Sequence, residues 1–77
     1  MKRRRRLPIT PASEELKLAA LGDLRAATRY RELAARATEP ETRARFTAAV
    51  PECLKSAQEN FRASMRARRE ALRHGSD

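Results

Sequence analysis

The segment Thr38-Glu39-Pro40-Glu41 constrains the fold of this chain more than any other part of its sequence. Thr38 can cap a helix N-terminus, and Glu41 lies three residues later, as in a capping box. Pro40 falls in the first turn, where a missing N–H removes no helical hydrogen bond. A connection of about four residues joins antiparallel neighbours. The sequence therefore predicts an all-α, antiparallel helical hairpin that is closed at this turn.

The first helix is predicted over about residues 11–37. Thr10 is suited to its N-cap, with Ser13 as the alternative, and Pro11 is suited to the first helical position. Apolar residues then recur at helical spacing and form one stripe, which a single acid, Asp23, interrupts. The stripe consists of Leu16, Ala20, Ala27, Tyr30, Ala34 and Ala37, widened by Leu24 and Leu33.

The second helix is predicted over about residues 40–74, followed by Gly75 at the C′ position. Pro51 lies inside it and removes one hydrogen bond, which predicts a kink near residues 47–51. A break that leaves three short helices is the alternative. One kinked helix is expected because the apolar stripe keeps its phase across Pro51. That stripe consists of Phe46, Val50, Cys53, Leu54, Ala57, Phe61, Met65 and Leu72.

The large side chains of the two stripes are predicted to form the helix-packing interface. They are Leu16, Leu24, Tyr30, Phe46, Val50, Leu54, Phe61 and Met65. Residues 10–75 are expected to form the single domain of the chain, because 77 residues allow one domain at most.

So short a chain buries a thin core and often needs a partner for stability. Leu18 and Leu21 lie off the stripe of the first helix, which indicates a contact beyond the hairpin. We expect a homodimer that forms a four-helix bundle, or a hetero-assembly in which the hairpin docks on a partner. Cys53 is the only cysteine, which excludes an intramolecular disulfide and fits the cytosol. Neither membrane insertion nor a secretory signal is expected, because no apolar run is long enough and no apolar segment directly follows the basic start.

The net charge of +8 lies at the two ends of the chain. Residues 1–9 carry +5 and are predicted to be a disordered basic arm, residues 10–61 are balanced, and residues 62–77 carry +3. An antiparallel hairpin brings the end of its second helix beside the start of its first. The two basic groups should therefore meet and form what we call the arginine-rich pole. Its predicted partner-binding residues are Lys2, Arg3, Arg4, Arg5, Arg6, Arg62, Arg66, Arg69 and Arg73.

Arginine favours planar, bidentate contact with carboxylates and phosphates, so the arginine-rich pole predicts an acidic partner. The preferred interpretation is a non-enzymatic accessory or adaptor protein that binds an acidic surface of a larger protein assembly. The alternative is a sequence-nonspecific RNA- or DNA-binding protein, in which the same arginines neutralise phosphates. No aromatic residue is interleaved with the arginines, which argues against stacking on single strands. No catalytic triad, glycine-rich phosphate loop or histidine-cysteine cluster is present, so no enzymatic activity is expected.

The run DLRAATRYRELA, which begins at Asp23, and the following PETRARF resemble the first helix pair of ferritin-like proteins of the rubrerythrin type. In that family, facing helices carry carboxylate and histidine ligands for iron, and Asp23 would occupy the first carboxylate position. The matching positions of the second helix fall near Cys53 and Ser56, without a histidine, so the ligand pattern is not retained. The resemblance covers residues 23–57 and implies a hairpin that pairs into a four-helix bundle.

A degenerate ferritin-like metal-binding protein is therefore a second alternative, although no metal or cofactor is expected. The preferred interpretation of Asp23 is structural: an acid at the stripe edge, paired with residues on the side of Arg29 or with an arginine of another chain. Cys53 is interpreted as core filler rather than as a reactive thiol.

Overall fold

A computed structural model describes residues 7–75, which form two long helices and no strand. Helix α1 spans Pro11–Arg36 and helix α2 spans Pro40–Gly75. They pack against each other as a hairpin with extents of 59 × 25 × 14 Å, which is one layer of two helices. The predicted all-α helical hairpin is confirmed. Neither helix, over these residues, has a stretch long and apolar enough to cross a membrane.

The N-terminus of α1 is fixed by a reciprocal pair of side-chain hydrogen bonds. Thr10 has extended backbone angles, and its Oγ1 accepts from the Ser13 N–H at 3.0 Å. The Ser13 Oγ in turn accepts from the Thr10 N–H at 2.9 Å. Thr10 is therefore the N-cap and Pro11 the first helical residue, as predicted, while Ser13 completes the capping box. The first turn of α1 carries Glu14, where a negative charge complements the helix dipole.

The turn between the helices differs from its prediction by one residue. Helix α2 begins at Pro40, and the Arg43 N–H donates to the Glu39 carbonyl at 3.0 Å. The N-cap position therefore falls on Glu39, and the prediction of Thr38 as N-cap is wrong. The Arg43 guanidinium donates to the carbonyl of Ala37 at 2.8 Å and thereby ties the end of α1 to the first turn of α2.

Helix α2 is continuous across Pro51, so the alternative of three short helices is wrong. Pro51 has no N–H to donate to the carbonyl of Thr47. Both residues are exposed, which leaves this carbonyl open to water. The kink stays a prediction. Gly75 is the last residue of α2 rather than the residue after it, and no glycine in the described part of the chain has a positive φ.

The seam between the helices is built from small side chains. In the described residues the fully buried apolar side chains are three alanines, Ala20, Ala27 and Ala57. Alanines let helices approach closely, but each buries little area. Most of the larger predicted packing residues are half-buried; these are Leu16, Tyr30, Phe46, Val50, Leu54 and Phe61. The other two are more open, since Leu24 and Met65 are 37% and 39% exposed.

A layer of two helices has two broad faces. Successive residues of a helix are rotated by about 100°, so Asp23 and Leu24 fall on opposite sides of the alanine seam. Ser56 and Asn60 of α2 lie on the side of Asp23, because both donate to its carboxylate. We call this side the Asp23 face and the other the Leu24 face. By the same rotation the Leu24 face includes Leu54, Phe61 and Met65 of α2.

Candidate functional site

The end of the hairpin opposite the turn is held together by Arg68 of α2. Its Nη2 donates to the Leu7 carbonyl at 2.7 Å, and its Nε donates to the Pro8 carbonyl at 3.3 Å. Leu7 and Pro8 precede the N-cap of α1, so neither carbonyl takes part in the hydrogen bonds of the helix. Arg68 is half-buried and supplies the missing donors. The segment before α1 is thus attached to α2 about sixty positions later in the chain.

Two buried serines fix the relative position of the helices at the same end. The Ser64 hydroxyl donates to the Ser13 carbonyl at 2.8 Å, and the two residues are 6% and 2% exposed. A hydroxyl buried without a partner would be costly, so this bond favours one alignment of α2 along α1. Ser64 therefore lies beside the first turn of α1, and the last two turns of α2 extend past the start of α1 at Pro11.

Four arginines form a row on α2 near this end, at the spacing of 4, 3 and 4 residues that keeps side chains on one side of a helix. All four are exposed, and rotation from the buried Ser64 places them on the outer side of the hairpin. The row is about 16 Å long at a rise of 1.5 Å per residue. We call it the outer arginine row; its members are Arg62, Arg66, Arg69 and Arg73.

The ion pairs of this region are weak and leave most of the row free. Glu70 lies 3.8 Å from Arg73 and 3.4 Å from His74, and all three side chains are well exposed. Such surface pairs contribute about 0–1 kcal/mol. Within residues 7–75, Arg62, Arg66 and Arg69 form no ion pair. Their guanidinium groups are available to an acidic partner.

The other predicted members of the arginine-rich pole, Lys2 to Arg6, lie outside the described residues. Their point of attachment is described, because Arg6 is followed directly by Leu7, whose carbonyl Arg68 holds. The described part of the pole therefore comprises the outer arginine row and the attachment of the arm. Arg68 was not predicted as a functional residue, because nothing in the local sequence distinguishes it from its arginine neighbours.

Asp23 forms a polar bridge across the Asp23 face. Its Oδ2 accepts from the Ser56 hydroxyl at 2.8 Å and from the Asn60 amide at 2.9 Å. Asp23 thus has a structural role at the edge of the stripe, but its partners in residues 7–75 are Ser56 and Asn60 of α2 rather than neighbours on the side of Arg29. Pairing with an arginine of another chain stays a prediction. The same residues contain no group of three or more acidic, histidine or cysteine side chains that could hold a metal. Cys53 is a half-buried free thiol on the inner side of α2.

A second surface feature lies on α1, on the side that is turned away from α2. An open groove of about 690 Å³ is lined by Gly22, Arg25, Ala26, Arg29, Tyr30 and Leu33. This groove was not predicted from the sequence. The available signal was a glycine in mid-helix followed by alanine four residues later.

Comparison of the chain with protein-family models, curated proteins and solved structures found no match. The resemblance to ferritin-like proteins accordingly stays a prediction.

Proposed function

We propose that this chain is a small basic accessory protein, without enzymatic activity of its own, that attaches to an acidic surface of a larger protein assembly. The outer arginine row carries the proposal. Its arginines are exposed, aligned on one side of α2 and, for three of them, without an ion pair in residues 7–75. Arginine in such a row matches carboxylates that repeat at one helical turn on a partner surface.

The basic arm would add to the same contact. Arg68 holds Leu7 against α2, so residues 2–6 begin at the end of the hairpin that carries the row. Five further positive charges joined to this end raise the local attraction for an acidic surface. The arm and the row would therefore act as one bipartite site.

The Leu24 face supports the second part of the proposal, pairing of two hairpins into a four-helix bundle. Three buried alanines give a single hairpin a small apolar core, while Leu24 and Met65 remain more than one third exposed. Covering this face with a second copy would bury those side chains and the half-buried leucine and phenylalanine beside them. Four-helix bundles pack through stripes of this kind.

The test of the acidic partner uses the full chain and one matched control. A variant with Arg62, Arg66 and Arg69 changed to Gln loses three charges from the row. The control carries Arg31→Gln, Arg36→Gln and Arg45→Gln, which removes three exposed charges near the turn. Crosslinking in cells followed by mass spectrometry would identify an acidic partner of wild type and control.

We expect the row variant, and a chain lacking residues 2–6, to lose that partner while circular dichroism shows unchanged helix content. Equal recovery with all four proteins would contradict the proposal. The same proteins should be mixed with duplex DNA and RNA at about 50 mM and 200 mM salt, because phosphate binding weakens steeply with salt. Row-dependent retardation without an acidic protein partner would establish the nucleic-acid alternative instead.

A further inference from the structure

The groove on α1 lies between two rows of side chains that run along the helix. Residues 22, 26 and 30 form one row with a spacing of four, and residues 25, 29 and 33 form the next. The side chains of the first row rise little above the helix backbone, because two of them are glycine and alanine. Those of the second row, two arginines and a leucine, are long. The two rows thus form a channel into which the side-chain ridge of another helix can pack.

The residues of the groove are unfavourable for α1 by itself. Glycine destabilises the interior of a helix relative to alanine. A Cβ at Gly22 would meet no atom within 4 Å, so no contact in the described chain requires glycine there. Arg25 and Arg29 are four residues apart, where like charges repel. Neither forms an ion pair within residues 7–75.

An external helix would account for these features together. Gly22 and Ala26 would let its backbone approach α1 closely. Carboxylates on the approaching helix would pair with Arg25 and Arg29 and replace their mutual repulsion by attraction. Leu33 is 36% exposed and Tyr30 half-buried, so both would offer apolar contact at one end. The groove spans three turns of α1, which is the length of a short helical recognition segment.

We propose that this groove is a second binding surface, whose occupant is an amphipathic helix of a partner protein. The occupant carries small or apolar residues on its contact stripe and two carboxylates one turn apart that face Arg25 and Arg29. The acids of the occupant must lie on the arginine side of the channel, because the row of residues 22, 26 and 30 carries no positive charge.

Charge excludes the other occupants that the chain itself could supply. The arm of residues 2–6 is entirely basic and would be repelled by Arg25 and Arg29. A second copy packed through the same groove would gather four arginines, while none of the lining residues carries a negative charge. A separate acidic helix meets no such repulsion.

The probe is a labelled synthetic helix of about 16 residues, long enough to cover the groove at 1.5 Å per residue. It has an alanine and leucine contact stripe and two Glu residues four positions apart, and its twin has Gln in place of both. Fluorescence anisotropy measures binding to the full chain. We expect saturable binding of the Glu helix and about tenfold or more weaker binding of the Gln helix, a typical loss for removing paired interfacial charges.

Three variants of the chain locate the binding. Arg25→Glu with Arg29→Glu reverses the groove charges, and we expect a loss of about tenfold or more. Gly22→Leu fills the channel without removing charge, and should also weaken binding. The matched control, Arg31→Glu with Arg36→Glu, changes the net charge equally at exposed positions outside the groove and should leave affinity within about threefold. Circular dichroism verifies that each variant is helical.

Three results would overturn the proposal. The first is a control variant that weakens binding of the Glu helix as much as the groove variant does. The second is binding of the Glu helix that does not saturate. The third is a fall in the sedimentation mass of the chain alone on Gly22→Leu, which would assign the groove to a second copy. The experiment is repeated with residues 2–6 deleted and the outer arginine row neutralised. If this variant still binds the Glu helix, the groove acts independently of the arginine-rich pole. Failure of the groove proposal and failure of the proposed function can then be told apart.

Discussion

The two ends of this hairpin are held by different kinds of contact. Near the turn, the ring centroids of Tyr30 and Phe46 lie 6.0 Å apart. Arg43 donates a hydrogen bond to the carbonyl of Ala37, only six residues away. At the opposite end the cross-helix contacts are hydrogen bonds from Ser64 and Arg68 to backbone carbonyls. The turn end is therefore held by a contact between residues close in sequence and by the packing of two aromatic rings. The pole end is closed by polar groups that are far apart in the chain, and this is the end that carries the arginines.

Removing the aromatic contact tests the turn end and should have the largest effect. Phe46→Ala deletes a half-buried ring, and we expect the free energy of unfolding to fall by about 2 kcal/mol, less than for a fully buried phenylalanine. Urea denaturation at one fixed protein concentration measures it. Leu33→Ala, at an exposed position, is the control. A loss no larger than that of the control would mean that the ring contact does not hold this end.

Removing the hydrogen bond between Ser64 and the Ser13 carbonyl tests the pole end. Ser64→Ala deletes the donor to the Ser13 carbonyl, and we expect a loss of about 1 kcal/mol, typical of one intramolecular hydrogen bond. Ser64→Cys keeps a small, weakly donating group and should lose less. If the free energy of unfolding of Ser64→Ala in urea equals that of the wild type, the hydrogen bond contributes no stability. The small size of serine would then explain why it is buried at this position.

Arg68→Ala should have a smaller global effect and a clear local one. The side chain is half-buried and its acceptors lie outside the helices, so we expect a loss of about 0.5–1 kcal/mol. Amide exchange and proteolysis near residues 7–10 should increase, while the protection of the turn stays unchanged. Arg69→Ala, which removes an exposed neighbour, is the control. Equal exchange in the two variants would show that Arg68 does not attach the arm.

The smallest effect is expected from Arg43→Ala at the turn. Its guanidinium bonds the Ala37 carbonyl, but the side chain is exposed and water can replace it. We expect a loss of a few tenths of a kcal/mol, with Arg45→Ala as the neighbouring control. A loss above that of Ser64→Ala would reverse the comparison between the two ends.

The same contrast explains what could be predicted from the sequence. Thr10, Pro11 and Pro40 act on their immediate neighbours, and their positions in the helices were predicted correctly. Gly75 and Thr38 were each misplaced by one residue, which is the usual uncertainty of helix boundaries. The hairpin followed from two long apolar stripes and one short connection.

The polar contacts across the seam could not be predicted in this way. Ser13 and Ser64 are separated by 51 positions, and serine on a helix usually faces solvent. Arg68 is one of five arginines in the last quarter of the chain, and only the fold distinguishes it from the others. The outer arginine row was within reach of the sequence, because its 4-3-4 spacing is periodic. The groove was harder to predict, because its signal, a glycine followed by alanine four residues later, equally fits a residue that only destabilises the helix.

The antiparallel layout also has a consequence for the order of folding. Contacts at the turn close a loop of a few residues, whereas the bond between Ser64 and Ser13 closes one of about fifty. Loop closure costs more entropy as the loop lengthens, so we expect the helices to associate from the turn outward. Transient opening should follow the reverse path and begin at the arginine-rich pole. A gradient of hydrogen-exchange rates along both helices, slow at the turn and fast at the pole, would record it.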